Sequence, residues 1–142
     1  APGLGYIREW LIKNHRIIAS VDLHVDTFQP RNGTQTSVLF LQKKTQEQKD
    51  IEEKSGTMAD YNIFMAMVEK VGHDKRGNPT FKRDKEGNEI LVPDTNSVLV
   101  LGTTGEGDRT VSHEQKRKVE DDQTPDVPAI FTEWKTKEGL AW

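Results

Sequence analysis

Two short apolar segments separated by a polar loop constrain the fold of this chain more than any other feature. Residues 17–23 and 37–41 are rich in Ile, Val, Leu and Phe, and turn-forming residues bound each run. Such runs predict β-strands, and near-continuous apolar strands are typical of sheets that helices cover on both faces. The connecting loop, residues 25–36, is long for a hairpin, and long loops on rigid strands often carry function.

Apolar residues at helical spacing predict three helices, over residues 6–14, 59–71 and 126–137. Thr57 and Asp60 resemble a capping box at the start of the second helix, and a Thr-Pro pair precedes the third. The face of the second helix that we expect in the core consists of Phe64, Met67, Val68 and Val71.

The remaining segments are polar and rich in turn residues. Arg76-Gly77-Asn78 and Glu86-Gly87-Asn88 predict two tight turns of a small exposed hairpin, with residues 89–92 as its return strand. Residues 42–57 are charged and predict a connector or exposed turn. Residues 102–123 are charged and contain glycine, which favours a loop.

Composition sets the size and class of the protein. With 142 residues, 33% hydrophobic and 30% charged, the chain is about one domain long and has material for a modest core only. We expect one domain in two parts, residues 1–58 and 59–142. No 18-residue apolar run and no signal-peptide pattern occur, so we expect no membrane span and a cytoplasmic location.

Outside the loop over residues 25–36, few residues are candidates for catalysis or metal binding. The chain has no cysteine, and its four histidines are scattered without metal-ligand spacing, which argues against a metal site. No nucleophile–base pattern or nucleotide-binding glycine turn is visible, so no residue is predicted to be catalytic.

Phe28 is the exception, because it lies in the polar loop between the two predicted strands. One interpretation folds its ring into a local core. The other makes it a stacking platform, since enzymes that modify a base extrude it and sandwich it against an aromatic or apolar side chain. The neighbouring polar residues are candidates for contacts to a phosphate or base edge: Arg31, Asn32, Thr34, Gln35 and Thr36.

A family resemblance adds to this interpretation. Residues 8–44, REWLIKNHRIIASVDLHVDTFQPRNGTQTSVLFLQKK, and residues 62–78, NIFMAMVEKVGHDKRGN, resemble adenine-N6 DNA methyltransferases, and more narrowly the modification subunit of type I restriction systems. The resemblance covers most of the chain and is weakest over residues 98–118. It implies an α/β fold: a partial Rossmann-like methyltransferase sheet, with 17–23 and 37–41 as its last two, antiparallel edge strands, flanking helices and a small β-hairpin. It also places Phe28 in the target-base pocket.

The chain departs from that family in two motifs. It lacks the glycine-rich turn that binds S-adenosylmethionine and the Asn/Asp-Pro-Pro-Tyr/Phe motif that holds the adenine amino group. The resemblance therefore implies a fragment, inactive alone, of an enzyme whose cofactor is S-adenosylmethionine. It implies double-stranded DNA and the specificity and restriction subunits as partners.

Two other interpretations stay open from the sequence. The chain could be a non-enzymatic α+β binding module for protein or nucleic acid, in which case it would unfold cooperatively on its own. It could also be an independent enzyme of another class, against which the missing nucleophile–base pair and ligand cluster argue.

Overall fold

The computed structural model describes residues 2–102, 105 and 107–140 as a mixed α/β arrangement of three helices and five strands. In chain order these are α1 Gly5–Asn14, β1 His15–Leu23, β2 Ser37–Lys43, α2 Gln46–Ser55, β3 Phe64–Val68, β4 Leu91–Val100, β5 Arg109–Lys118 and α3 Val127–Lys137. Short 3-10 helices cover Pro2–Leu4, Val25–Phe28 and Thr124–Asp126. No helix within these described ranges is long and apolar enough to cross a membrane.

The principal sheet has three strands in the order β2-β1-β3. β1 pairs with β2 antiparallel, and the register shifts between Ile17 and Ala19, where a bulge places an extra residue in β1. β3 runs parallel to β1 on its other side. The predicted strands and their antiparallel pairing are confirmed. The prediction that they form the edge pair is wrong for β1, because β3 gives it a second neighbour and makes it the central strand.

The core is small and lies between this sheet and α3. Its centre is Ile18, Ala19 and Phe64, and the Phe64 ring lies 5.3 Å from Phe131 and 5.6 Å from Trp134 between ring centroids. Aromatic rings at such separations attract through their edges and faces in addition to the area they bury. This cluster joins the third helix to the sheet and so links the two ends of the chain.

The predicted helix over 59–71 is wrong, because the structure has strand β3 there. Phe64 and Val68 are buried while Met65 and Met67 are each 75% exposed, which is the alternation of a strand. The run Phe64, Ala66, Val68 fits a period of two as well as a helical spacing, and a short apolar run does not distinguish them. Backbone pairing with β1 settles the conformation as a strand.

The connector predicted over 42–57 is wrong in its centre, where α2 forms without an apolar core face. Its capping box is Thr45 with Gln48: the Gln48 N–H donates to Thr45 Oγ1 (3.2 Å) and the Thr45 N–H to Gln48 Oε1 (2.9 Å). Thr57 and Asp60, predicted to cap a helix over 59–71, precede strand β3 and cap no helix. Gly56, at φ +68°, ends the helix in the left-handed conformation.

A buried lysine fastens α2 to the rest of the chain. Lys44 Nζ donates to Glu52 Oε2 at 2.7 Å and to the Ile12 carbonyl at 2.9 Å. The Lys44 hydrogen bond holds the pKa of the Glu52 carboxyl below its ordinary value. Long-range polar contacts of this kind, in place of an apolar stripe, explain why a charged segment is helical.

Two turns of the same local sequence follow β3, as the glycine and asparagine pattern predicts. In each turn the carboxylate of the leading aspartate, Asp74 or Asp84, accepts the backbone N–H groups of the residues two and four positions later. The glycine of each turn has a positive φ, +82° at Gly77 and +91° at Gly87. The pKa of Asp74 is lowered chiefly by its hydrogen bonds from Asn78. The pKa of Asp84 is lowered chiefly by its hydrogen bond from the backbone N–H of Asn88.

The loop predicted over 102–123 is wrong over β5, which pairs antiparallel with β4 over ten registered positions. Both strands are mostly exposed on both faces, so this ribbon needs no apolar alternation and its sequence carries none. Cross-strand contacts such as Ser97 Oγ to Ser112 Oγ, 3.3 Å, accompany the backbone ladder. Residues 103, 104 and 106 of the glycine-bearing segment lie outside the described residues.

In the described part of the chain, β2 lacks the helical cover expected on both faces of the sheet. All seven β2 residues are exposed, with Phe40 at 52%. The last helix is confirmed as α3, but it packs through Phe131 and Trp134 onto Phe64, at the β3 side of the sheet. Ile130 of the same helix is 55% exposed.

Candidate nucleic-acid interface

The loop between β1 and β2 begins with a 3-10 turn that ends at Phe28. His24 caps this turn: its Nδ1 accepts the Asp26 N–H at 3.2 Å, and its carbonyl accepts the Thr27 hydroxyl at 2.6 Å. The Phe28 carbonyl then accepts the Asn32 N–H at 2.9 Å. Phe28 is 48% exposed, so its ring is not folded into a local core and part of it is accessible.

A second set of contacts closes the base of the loop. The Leu23 N–H donates to the Thr36 carbonyl at 2.9 Å, which continues the β1–β2 ladder by one bond. The Asp22 carboxylate accepts the Gln35 amide at Oδ2 (3.1 Å) and the Ser37 hydroxyl at Oδ1 (2.8 Å). The returning chain is therefore held on both sides of Thr36.

The outer part of the loop rests on the first of the two turns after β3. A Cβ added to Gly77 would lie 3.3 Å from Pro30 Cδ, so the two backbones approach closely there. The peptide bond between Gln29 and Pro30 is cis. Within the loop the Gln29 side chain covers Gly33, whose added Cβ would meet Gln29 Nε2 at 2.7 Å. The loop is thus supported at its base and at its far side.

The five polar residues predicted as nucleic-acid contacts share this loop but differ in availability. Arg31, Asn32, Thr34 and Gln35 are exposed. Asn32 Oδ1 accepts the Thr34 N–H at 2.9 Å. Thr36 Oγ1 is buried and has no hydrogen-bond partner among the described residues, so its hydroxyl does not face solvent. The loop therefore offers an exposed aromatic ring, one arginine and several amide or hydroxyl groups on one segment.

An apolar cavity of about 680 Å³ extends from the base of this loop to α3. Its lining is almost entirely hydrophobic and combines all three strands of the principal sheet with the last helix and the 3-10 turn before it: Ile18, Ala19, Val21, Leu23, Val38, Phe40, Leu41, Gln42, Phe64, Thr124, Val127, Pro128 and Phe131. The cavity is the uncovered part of the sheet face on which α3 packs. Such a surface suits the burial of apolar side chains.

Two kinds of site can be compared with the described ranges: a metal cluster and a glycine-rich turn after a parallel strand. No group of three His, Cys, Asp or Glu side chains there could hold a metal ion. The parallel strands β1 and β3 lead into His24 and Glu69 rather than into a glycine-rich turn and helix. A glycine-rich turn between a strand and a helix is one arrangement that binds a dinucleotide cofactor, and these two strands do not end in one.

The sequence pattern indicates Phe28 as a candidate in this loop but does not indicate Asp22, whose carboxylate holds the base of the loop. Asp22 interrupts an apolar strand at a position adjacent to the loop, and that interruption was the available signal. Its partners became visible only once β1 and β2 were placed in register. No protein-family model, curated protein or solved structure matches this chain.

Proposed function

We propose that this chain is part of an adenine-N6 DNA methyltransferase of a type I restriction–modification system, acting in the cytoplasm on double-stranded DNA. The parent enzyme transfers a methyl group from S-adenosylmethionine to the N6 amino group of adenine. The observation that carries the proposal is the half-exposed Phe28 ring on a loop held at both ends, beside exposed Arg31 and Asn32. A ring in such a setting can stack on an extruded base.

The state of the three-stranded sheet supports a fragment rather than a complete enzyme. β2 has no pairing partner on its outer side among the described residues, and its apolar side chains are exposed on both faces. An exposed apolar edge strand normally needs a covering element. Elements from the rest of the parent enzyme would cover β2 and fill the apolar cavity beside it.

The chemistry divides accordingly between this chain and the rest of the enzyme. Phe28 stacks on the extruded adenine, and Arg31 neutralises a nearby phosphate. S-adenosylmethionine and the group that binds the adenine amino nitrogen belong to other parts of the parent protein, because this chain lacks the two motifs that serve them in the family it resembles. The chain alone is therefore expected to transfer no methyl group, and specificity and restriction subunits are its expected partners.

The test is methyl transfer by the polypeptide encoded by the complete reading frame that contains this sequence, purified with the proteins encoded beside it. Labelled methyl groups should appear in N6-methyladenine of unmodified duplex DNA. Phe28→Ala should lower kcat/KM by about 5- to 150-fold, the equivalent of about 1–3 kcal/mol for one base–aromatic stack. The control Lys13→Ala removes an exposed charge just before β1, at the end opposite the loop, and should change kcat/KM less than twofold, roughly the effect of one screened surface charge. Label in another base, or an unchanged Phe28→Ala rate, would contradict the proposal.

The second candidate is a non-enzymatic binding module. It is favoured by the β4–β5 ribbon, whose end carries exposed Leu99 and Leu101, 61% and 71% accessible. Exposed apolar residues grouped at one end of a ribbon suit a protein contact. A module of this kind would unfold cooperatively as the isolated chain and would bind its partner without any methyl transfer by the complete protein.

A further inference from the structure

The loop that carries Phe28 returns to the sheet beside one carboxylate, that of Asp22. Its two oxygens each hold a different donor, Ser37 Oγ at 2.8 Å and Gln35 Nε2 at 3.1 Å. An ionised carboxylate only accepts hydrogen bonds, and bonds to a charged acceptor are stronger than those between neutral groups. Asp22 and Ser37 are also registered partners in the β1–β2 ladder.

We infer that Asp22 is a positioning residue for the base-stacking loop, an inference that rests on the proposed function. It fixes the return of the loop and thereby the orientation in which Phe28 is presented. The side chain of Gln35, an expected contact to nucleic acid, is committed to this role through its amide. The stretch that remains to contact DNA is then residues 28–34.

The effect of Asp22 follows from the cost of ordering a loop. Without the carboxylate, Gln35 and Ser37 lose their shared acceptor, and the returning chain keeps its backbone contacts: the bond between Leu23 and Thr36 and the β1–β2 ladder. More loop conformations become accessible, and the fraction that presents Phe28 for stacking falls. Misplacing a group that holds the reacting base lowers the rate of the chemical step more than the affinity for the DNA backbone.

The test is a double-mutant cycle in the same complete protein, with kcat and KM for DNA as readouts. Asp22→Ala should lower kcat about tenfold while KM for DNA stays within about twofold. This split is expected because the Phe28 ring is misplaced while the contacts between protein and DNA backbone remain. Because Asp22 acts through Phe28, the variant that combines Asp22→Ala with Phe28→Ala should be no slower than Phe28→Ala alone. Asp94→Ala serves as the control, since Asp94 is also a strand aspartate with a cross-strand partner, Arg117 at 3.8 Å, and it should leave kcat unchanged.

The outcomes separate this inference from the proposed function. If Phe28→Ala lowers kcat but Asp22→Ala has no effect, or the two effects multiply, Asp22 is not a positioning residue while the base-stacking role of Phe28 stands. If Phe28→Ala itself has no effect, both proposals fail. Should Asp22→Ala not fold, Ser37→Ala and Gln35→Ala each remove one of its two donors, and the same non-additivity with Phe28→Ala is expected of them.

Discussion

Replacement of Phe64 by alanine tests the core and the assignment of β3 in one experiment. Phe64 is 6% exposed and contacts Phe131 and Trp134 through its ring. Truncating a buried phenylalanine costs about 3–5 kcal/mol, because the transfer free energy of the ring is lost and a cavity remains. The few other buried apolar residues cannot close around that cavity, so we expect a value of about 4 kcal/mol.

Urea unfolding of the complete protein that contains this chain, followed by hydrogen exchange at the backbone amides of β1 and β3, gives the measurement. With a denaturant slope of about 2 kcal/mol per molar, a loss of about 4 kcal/mol lowers the unfolding midpoint by about 2 M. The controls are Met65→Ala and Met67→Ala, because both side chains lie in the same strand and are 75% exposed. Each should change the free energy of unfolding by no more than about 0.5 kcal/mol.

The control at Met67 decides between strand and helix. A helix over 59–71 would place Met67 on the same face as Phe64 and Val68, and its truncation would then be costly. A strand places Met67 on the opposite face from both. A destabilisation by Met67→Ala comparable with that of Phe64→Ala would refute the assignment of β3 and the account of the core built on it.

Three further predictions concern local structure. Thr45→Ala removes the capping box of α2 and should destabilise it by about 1 kcal/mol, seen as lost helical circular dichroism; unchanged ellipticity would contradict the role of the cap. Gly77→Ala should cost about 1 kcal/mol or more in urea unfolding, because φ is +82° and the new Cβ meets Pro30, whereas Gly3→Ala, with nothing within 4 Å, should be neutral; equal effects would argue against the turn. Asp74 has a pKa lowered from 3.8 by its hydrogen bonds, so its contribution to stability is complete above the unfolded pKa and is lost as the pH falls below about 4 through the folded value. Asp74→Asn should remove that part of the acid dependence in urea titrations at different pH, and an identical pH profile would show that the carboxylate contributes nothing.

The elements that the sequence predicts correctly are those with an unambiguous local signal. β1 and β2 are short β-branched and apolar runs, α3 follows a proline and carries paired aromatic residues, and the glycine at +82° φ is where a tight turn needs one. In each case the local preference agrees with the tertiary environment. Such agreement is what makes an element predictable from its own residues.

The elements that it misses depend on contacts made elsewhere in the chain. β3 is a strand because β1 offers a parallel partner, although its apolar spacing also suits a helix. α2 has no buried residue and depends on its caps and on Lys44. β5 has no apolar alternation because its ribbon is exposed on both faces. Periodicity reports burial, so it carries no information where little is buried.

The candidate site likewise has one residue that its local sequence singles out and one that depends on contacts made elsewhere in the chain. Phe28 was predictable because an aromatic residue in a polar loop is unusual, and its exposure leaves the ring accessible. The role proposed for Asp22 was not predictable, because it rests on the register that places Ser37 opposite it and Gln35 within reach. Its assignment required the geometry of the two paired strands.

The most direct test of the proposed methyltransferase origin is the sequence of the parent gene for several hundred codons upstream of Ala1. The account predicts, in frame, a glycine-rich S-adenosylmethionine turn followed by an Asn-Pro-Pro-Phe-type motif. These are the two motifs that this chain lacks. A reading frame that opens at or just before Ala1, with neither motif in it nor in a companion frame, would contradict the methyltransferase proposal and favour the binding module.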